Sequence, residues 1–265
     1  MIDYTYLIVG GGMTAAAAVA GIREGDQKGT IGVIGAEPHP PYDRPPLSKA
    51  LWKGEPLESI WRSVDGHGVT SHVGRTARSL DPESRQVIDD EGMSYSYDKL
   101  LLATGCTPRR LPFGGDRIIY FRTVDDYQRL RAMTEHGERF AIIGGGFIGS
   151  ELAASLALNG KHVVMVFPDS GIGARMYPPE LVTDLNSMYR KKGVELLAGA
   201  MVTACEERGG TQVLLVRDDQ LDRQREVIVD GVVAGIGTQP HVELAQADGL
   251  TVDDGLRVDS SLRPS

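Results

Sequence analysis

The feature that most constrains the fold is a repeat. The stretch YLIVGGGMTAAAAVAGI (6–22) runs from a short apolar segment through a glycine cluster into an alanine-rich segment, and FAIIGGGFIGSELAASLAL (140–158) follows the same plan. A second short apolar run comes after each, TIGVIG (30–35) and HVVMVF (162–167). Strand, glycine turn, helix, strand is the βαβ plan of a parallel sheet, so the chain reads as α/β with two nucleotide-binding units. The glycines have mechanical reasons. Gly10 and Gly144 permit the tight turn, Gly12 and Gly146 let the backbone approach a pyrophosphate, and Ala15 and Gly149 let helix and strand pack closely. The helix start then offers unpaired N–H groups and a partial positive charge to phosphate. Glycine turns also arise from packing alone, but each copy here carries an acid about 20 positions beyond its last small residue. These are Glu37 after Ala15 and Asp169 after Gly149, and such a carboxylate accepts the ribose hydroxyls of an adenosine.

Bulk properties narrow the partners. At 265 residues, 41% hydrophobic and 24% charged, the chain is globular, with one large domain or two ordinary ones. A net charge of −8 repels nucleic acid and anionic membrane, so phosphate must be held by local devices. Cys106 and Cys205, far apart in sequence, indicate a reducing compartment and neither a disulfide scaffold nor a thiol metal site. The six histidines have no ligand spacing, the DGHG stretch (65–68) included, and no metal site is expected. MIDYTYLIVGGGM lacks a cationic segment before its apolar run, and no run of about 18 apolar residues follows elsewhere. The expectation is a cytoplasmic protein without a membrane span.

Between the units the character changes. From 73 to 97 short β-like pieces, RQVIDD and MSYSYD, are separated by the turn signals DPES and DEG, predicting a small antiparallel excursion. YDKLLLATGCTPR then reads as a buried strand stopping at Thr104 and Gly105. YPPELVTDLNSMYRKKG is a helix with prolines in its first turn and a glycine stop. The strands QVLLV and EVIVDGVVAGIG lead to TQP, without any low-complexity tract.

The motif order resembles the FAD- and NAD(P)H-dependent oxidoreductases with two Rossmann-like dinucleotide-binding domains, in the branch without a redox-active disulfide. Within it the chain is most similar to the branch of apoptosis-inducing factor and the ferredoxin and rubredoxin reductases. The carrying stretches are GGGMTAA (10–16), PYDRPPLSKALW (41–52), LLATGCTPR (101–109), IIGGGFIGSELA (142–153), VFPDSG (166–171) and AGIGTQPHVELA (234–245). The resemblance implies an FAD domain over 1–113, an NAD(P)H domain over 114–240 inserted in it, and a return segment over 241–265. It implies that Gly10, Gly11, Gly12, Met13, Thr14 and Ala15 line the FAD pyrophosphate and that Glu37 holds its adenosine ribose. Arg44 then contacts the FAD phosphates, Ala77 the adenine, and Ala103, Thr104, Gly105 and Arg109 the remainder of the flavin nucleotide. Gly144, Gly146, Phe147, Ile148 and Gly149 cradle NAD, Asp169 meets its ribose, and Ile236 and Gly237 lie beside the nicotinamide.

The resemblance also makes Lys49, near the flavin ring, and Glu151, paired with that lysine near the nicotinamide, the catalytic candidates. Hydride passes from nicotinamide to flavin N5, so the rings must stack and exclude water. A buried ammonium at Lys49 would stabilise the reduced flavin, and Glu151, in the first turn of its helix, would keep that ammonium charged. Plainer roles stand beside these. Glu151 can complement its helix dipole, Asp169 can be a loop carboxylate, Arg175 a solvated cation, and Cys106 a small buried hydrophobe. Asp169 favours NADH over NADPH. The acceptor expected is a small iron–sulfur or other electron-transfer protein, and a homodimer is allowed; the alternatives are an NADH-driven redox sensor or interaction protein and a nucleotide-binding remnant. The family continues past GLRVDSSLRPS into a Gly-Asp motif and a further domain, so the expectation is an unpaired sheet edge and weak FAD binding by this chain.

Overall fold

The run IDYTYLIV is half-buried at its start and fully buried at its end, as suits a strand entering the middle of a sheet. In the computed structural model, which describes residues 1–62, 64, 68–218 and 223–264, it is β1 (Ile2–Val9). The chain divides into two units, Met1–Asp43, Leu57–Thr107 and Gln239–Ser265 forming the first and Arg44–Pro56 with Pro108–Thr238 the second.

In unit 1, β1 leads through the glycine turn into α1 (Met13–Gly25) and then β2 (Ile31–Gly35), all five of whose residues are buried. β3 (Val69–Val73), β4 (Ala77–Asp81), β5 (Gln86–Asp89) and β6 (Ser94–Leu102) complete one sheet of order β3-β2-β1-β6-β5-β4. Its first four strands are parallel, while β5 pairs antiparallel with both β4 and β6. The antiparallel excursion is therefore continuous with the parallel sheet, because β6 is long enough to serve both. Its start pairs with β5, and its whole length follows β1 from Ile2↔Tyr95 to Val9↔Leu102. Leu7 and Val9 pack with Ile34, Leu80, Val87 and Tyr95 in one core; Ile8 packs with Ala15, Val19, Ile31 and Val33 in another. The expected burial of β6 is corrected. Asp98, Lys99 and Leu101 are exposed, and the strand ends at Leu102, two residues before the Thr104–Gly105 turn.

The polar part of this unit is a buried cluster. Tyr95 Oη donates to Asp89 Oδ2 at 2.8 Å, and Asp89 Oδ1 takes the N–H groups of Glu91 and Met93. His72 lies edge-on to Tyr95 with ring centres 4.8 Å apart, and its Nε2 bonds the Tyr4 hydroxyl at 2.8 Å.

The chain leaves unit 1 through β7 (Cys106–Pro108). Unit 2 is built on β8 (Ile118–Tyr120), β9 (Arg139–Ile143), β10 (His162–Phe167), β11 (Glu195–Ala198) and, later in the chain, β15 (Gly231–Ala234). All pair parallel, in the order β11-β10-β9-β15-β8. FAII, VVMVF and GVVA are continuous buried runs, as expected of parallel strands covered on both faces. The helices are α2 (Val124–His136), α3 (Phe147–Leu158) and α4 (Pro179–Lys191). Thr123 and Asp126 form a reciprocal capping box that starts α2. β12 (Ala200–Arg208), β13 (Thr211–Asp218) and β14 (Arg223–Val229) form a separate antiparallel sheet whose apolar face shares a core with β8, β9, β10 and β15. The run EVIVDGVVAGIG thus belongs to two sheets, parted at Asp230, whose Oδ2 takes the N–H groups of Glu138 and Arg139. Through β16 (Thr238–Pro240) the chain returns to unit 1, where α5 (Glu243–Ala247), β17 (Val252–Asp253) and β18 (Gly255–Leu256) follow.

One segment departs from the expected boundaries. Arg44–Pro56, inside the 1–113 span read as the first domain, clusters with unit 2. Among the described residues no helix is long and apolar enough to cross a membrane, and no group of three or more His, Cys, Asp or Glu side chains could hold a metal. Asp65, Gly66 and His67 of the DGHG stretch lie outside the described residues.

Candidate functional site

The unit 1 turn is held shut by backbone. Gly10 has φ +126°, and a β-carbon built on it would stand 2.0 Å from the Ala103 carbonyl oxygen. Ala103 is fixed there by its N–H bond to Val9 O at 2.8 Å. A β-carbon on Gly11 would lie 3.0 Å from Gly35 Cα, so the glycine ending β2 is part of the same close approach. Gly35 is not among the residues expected from sequence, although its place two positions before Glu37 is a usable signal. At Gly12 the space is open: a β-carbon there meets nothing within 4 Å. Gly12 caps α1 without a side-chain hydrogen bond, the first turn holds no acid, and Met13 and Thr14 are exposed while Ala15 is buried. An open cradle at an uncapped helix start suits an anion. Glu37 follows β2, takes a hydrogen bond from the Tyr42 hydroxyl, and accepts Gly74 N–H on its carbonyl at 3.0 Å. Arg75 N bonds Gly35 O at 2.9 Å, which brings the chain leading to Ala77 against the same strand end. On the other side of the turn Thr104 Oγ1 donates to His241 O, and Gly105 O accepts His241 N–H.

The unit 2 turn is also closed at the third small residue. A β-carbon on Gly144 (φ +111°) would meet Gly235 O at 2.4 Å, and one on Gly149 would meet Gly144 O at 2.2 Å. Gly235 is equally pinned, with Gly149 N 2.8 Å from its own β-position. Three glycines therefore interlock where β9, α3 and the end of β15 converge, and the third, Gly235, stands just before the expected Ile236 and Gly237. Gly146 caps α3 without a side-chain bond, and no acid occupies the first turn. Phe147 and Ile148 are exposed beside it. Asp169, two residues past β10, accepts Gly199 N–H on its carbonyl and receives Arg175 Nε on Oδ1 at 3.0 Å. Gly237 O takes Arg109 N–H at 3.0 Å, and Arg109 Nε reaches Thr238 O at 3.2 Å.

The catalytic candidates meet. Lys49 Nζ lies 2.7 Å from Glu151 Oε2, and the Ser48 hydroxyl donates to that same oxygen at 2.6 Å. Both partners belong to unit 2. Two expectations change. Lys49 is exposed rather than buried, its side chain 49% accessible. Glu151 is the fifth residue of α3 and stands beyond its first turn, where the helix dipole is weak; its contacts, not the dipole, explain it. Ser48, Ser155 and Asn159 join this set although sequence reasoning did not name them. Ser155 Oγ donates to Ser48 O at 2.8 Å and Asn159 Nδ2 to Trp52 O at 3.0 Å. Arg44, read as a phosphate ligand, donates through Nη1 to Arg122 O at 3.0 Å. Cys106 is half-buried rather than buried, and it and Cys205 are both free thiols.

The sequence matches the pyridine nucleotide-disulphide oxidoreductase family over residues 4–265. It is 34% identical over its whole length to the ferredoxin–NAD(+) reductase component of the 3-phenylpropionate/cinnamic acid dioxygenase of Photorhabdus laumondii, covering 68% of that protein. Over 98% of its length it is 33% identical to terpredoxin reductase of a Pseudomonas species, covering 64% of it. Among solved structures, a chain of the covalent putidaredoxin reductase–putidaredoxin complex superposes with TM-score 0.91 at 28% identity, over 99% of this chain and 65% of that one. The chain thus spans about two thirds of the length of these relatives.

Proposed function

Because the chain belongs to the pyridine nucleotide-disulphide oxidoreductase family, we infer that it is the nucleotide-binding part of an FAD-dependent NADH oxidoreductase that passes electrons to a ferredoxin-like acceptor. The observation that carries this is the pair of interlocked glycine turns opening onto uncapped helix starts, with an ion pair on the second helix. On this reading unit 1 is the flavin-nucleotide domain. Gly10, Gly11 and Gly12 hold the turn open, the N–H groups of Met13, Thr14 and Ala15 receive phosphate, and Glu37 takes the ribose. Unit 2 is the nicotinamide domain, with Gly144, Gly146, Phe147, Ile148 and Gly149 around the dinucleotide and Asp169 at its ribose.

FAD held by these residues would supply chemistry that the side chains cannot, two-electron hydride acceptance and single-electron release. Lys49 supplies a fixed positive charge where negative charge develops, and Glu151 holds that ammonium in place. Asp169 supports NADH, since its carboxylate accepts ribose hydroxyls and repels a 2′-phosphate. The names of the relatives, a ferredoxin–NAD(+) reductase component and a terpredoxin reductase, support a small redox protein as acceptor. Two free cysteines support the cytoplasmic location.

The test is anaerobic. FAD-loaded protein is mixed with NADH and the flavin absorbance followed, then a ferredoxin is added. Rapid bleaching and rapid reoxidation by the ferredoxin are expected. Bleaching with a long-lived charge-transfer band and no reoxidation would favour a redox sensor, and no bleaching by NADH at saturating FAD would sink the reading.

A further inference from the structure

Glu151 receives two donors on one oxygen. Ser48 Oγ and Lys49 Nζ both reach Oε2, at 2.6 and 2.7 Å, and Oε1 accepts no hydrogen bond among the described residues. The donors differ in kind. Lys49 is a long side chain half open to water, and an exposed ion pair repays little of the rotamer entropy it costs. Ser48 is 2% exposed, has a single short side chain, and is itself tied down, its carbonyl taken by the Ser155 hydroxyl at 2.8 Å. Its one proton has two acceptors in range, Glu151 Oε2 at 2.6 Å and Pro45 O at 3.4 Å. The shorter, charge-assisted bond takes it. The backbone arranges this convergence. Lys49 (φ −132°, ψ −88°) interrupts two 3-10 turns, Pro45–Ser48 and Ala50–Lys53, so that neighbouring side chains reach one oxygen.

We propose that Ser48 is the positioning residue of the Lys49–Glu151 pair, anchoring the carboxylate through Oε2 so that the exposed Lys49 has a fixed counter-charge and Oε1 stays open. The role of the pair itself rests on the function proposed above. Ser48 acts through Glu151 and touches no reacting atom.

The test uses the full chain and two readouts. Lys49 is half exposed, so an amine-reactive ester can label it, and peptide mass spectrometry gives the rate at that residue. Ser48→Ala is expected to raise the Lys49 labelling rate several-fold, to the level of Glu151→Ala. The double variant Ser48→Ala/Glu151→Ala should match Glu151→Ala alone, and Ser48→Thr, which keeps the hydroxyl, should match wild type. In FAD-loaded protein, Ser48→Ala should slow flavin reduction by NADH between about 10- and 100-fold, again without further loss in the Glu151→Ala background. Unchanged Lys49 labelling in Ser48→Ala, or an effect that adds in full to that of Glu151→Ala, overturns the proposal. Should Ser48→Ala fail to fold, Ser48→Cys, which keeps the volume and weakens the bond, gives the same comparison with an intermediate rate. Labelling needs neither flavin nor NADH, so a wild-type protein inert to NADH would end the functional reading while Ser48 was still decided by its labelling.

Discussion

At the scale of residues, the two glycine turns look alike in sequence but tolerate different changes. Ala15 already carries a β-carbon and is fully buried, whereas a β-carbon at the matching Gly149 would press 2.2 Å from a backbone oxygen. Backbone cannot swing aside as a side-chain tip can. Gly149→Ala is therefore expected to cost about 1–3 kcal/mol of stability and to abolish NADH binding, checked by urea unfolding and NADH fluorescence titration; Ala15→Gly should cost only about 1 kcal/mol through helix propensity. The buried cluster of unit 1 sets a pH dependence. Burial pushes the His72 imidazole below its usual 6.5, with Asp89 opposing and Arg75 adding. Burial would also raise the Asp89 carboxyl, but the Tyr95 hydroxyl, the N–H groups of Met93 and Glu91 and the Arg75 charge outweigh it, holding that carboxyl below 3.8. Both values are depressed in the fold, so the stability they confer is complete above the ordinary values and is lost as pH falls through the depressed ones. Unfolding free energy measured from pH 8 down to 2 should decline below about 6.5 and again below about 3.8, and His72→Leu should flatten the upper part of that decline; an unchanged slope would contradict the assignment.

At the scale of elements, α3 is a fastener. Glu151, Ser155 and Asn159 recur at every fourth position, so they share one face of the helix, and each bonds the Arg44–Pro56 segment at Ser48, Lys49 or Trp52. Trp52 adds an edge-on contact to Tyr127 on α2 and lies under Arg131. Asn159→Ala leaves the Trp52 carbonyl without this donor at a cost of about 1 kcal/mol. Amide hydrogen exchange between 50 and 54 should accelerate roughly fivefold while that of β9 and β10 is unchanged. This stripe explains what was and was not legible in the sequence. The glycine turns and their acids could be read because each is a local device, complete within some thirty residues. The helix stop after α4 and the hairpin of β5 and β6 were local in the same way. The partnership of Ser48 with Glu151 spans 103 positions, and nothing within PPLSKALW distinguishes a serine facing solvent from one facing another helix. The burial expected of Lys49 failed for the same reason, since exposure is decided by what packs nearby. β3 was missed because VTSHV has only two apolar residues, one at each end, and no buried position.

At the scale of the whole molecule, each unit carries its own glycine turn and its own core, so each ligand should leave a separate footprint. FAD is expected to protect amides of Met1–Asp43 and Leu57–Thr107 from exchange, and NADH those of Pro108–Thr238. At a hundredfold excess over Kd, either should add about 2.7 kcal/mol to the stability of the unit that binds it. Exchange mass spectrometry with each nucleotide alone distinguishes this from the reverse assignment, in which NADH protects β1 and α1. The membership of Arg44–Pro56 in unit 2 has a consequence for how the chain is made. On the ribosome this segment emerges well before α2 and α3, the helices that take up its hydrogen bonds and its tryptophan. Leu47, Leu51 and Trp52, all buried in the finished protein, must wait in an unpartnered state while β3 to β6 are synthesised. During that interval the nascent chain offers a short apolar stretch to chaperones, and a translational pause placed before α3 would lengthen it.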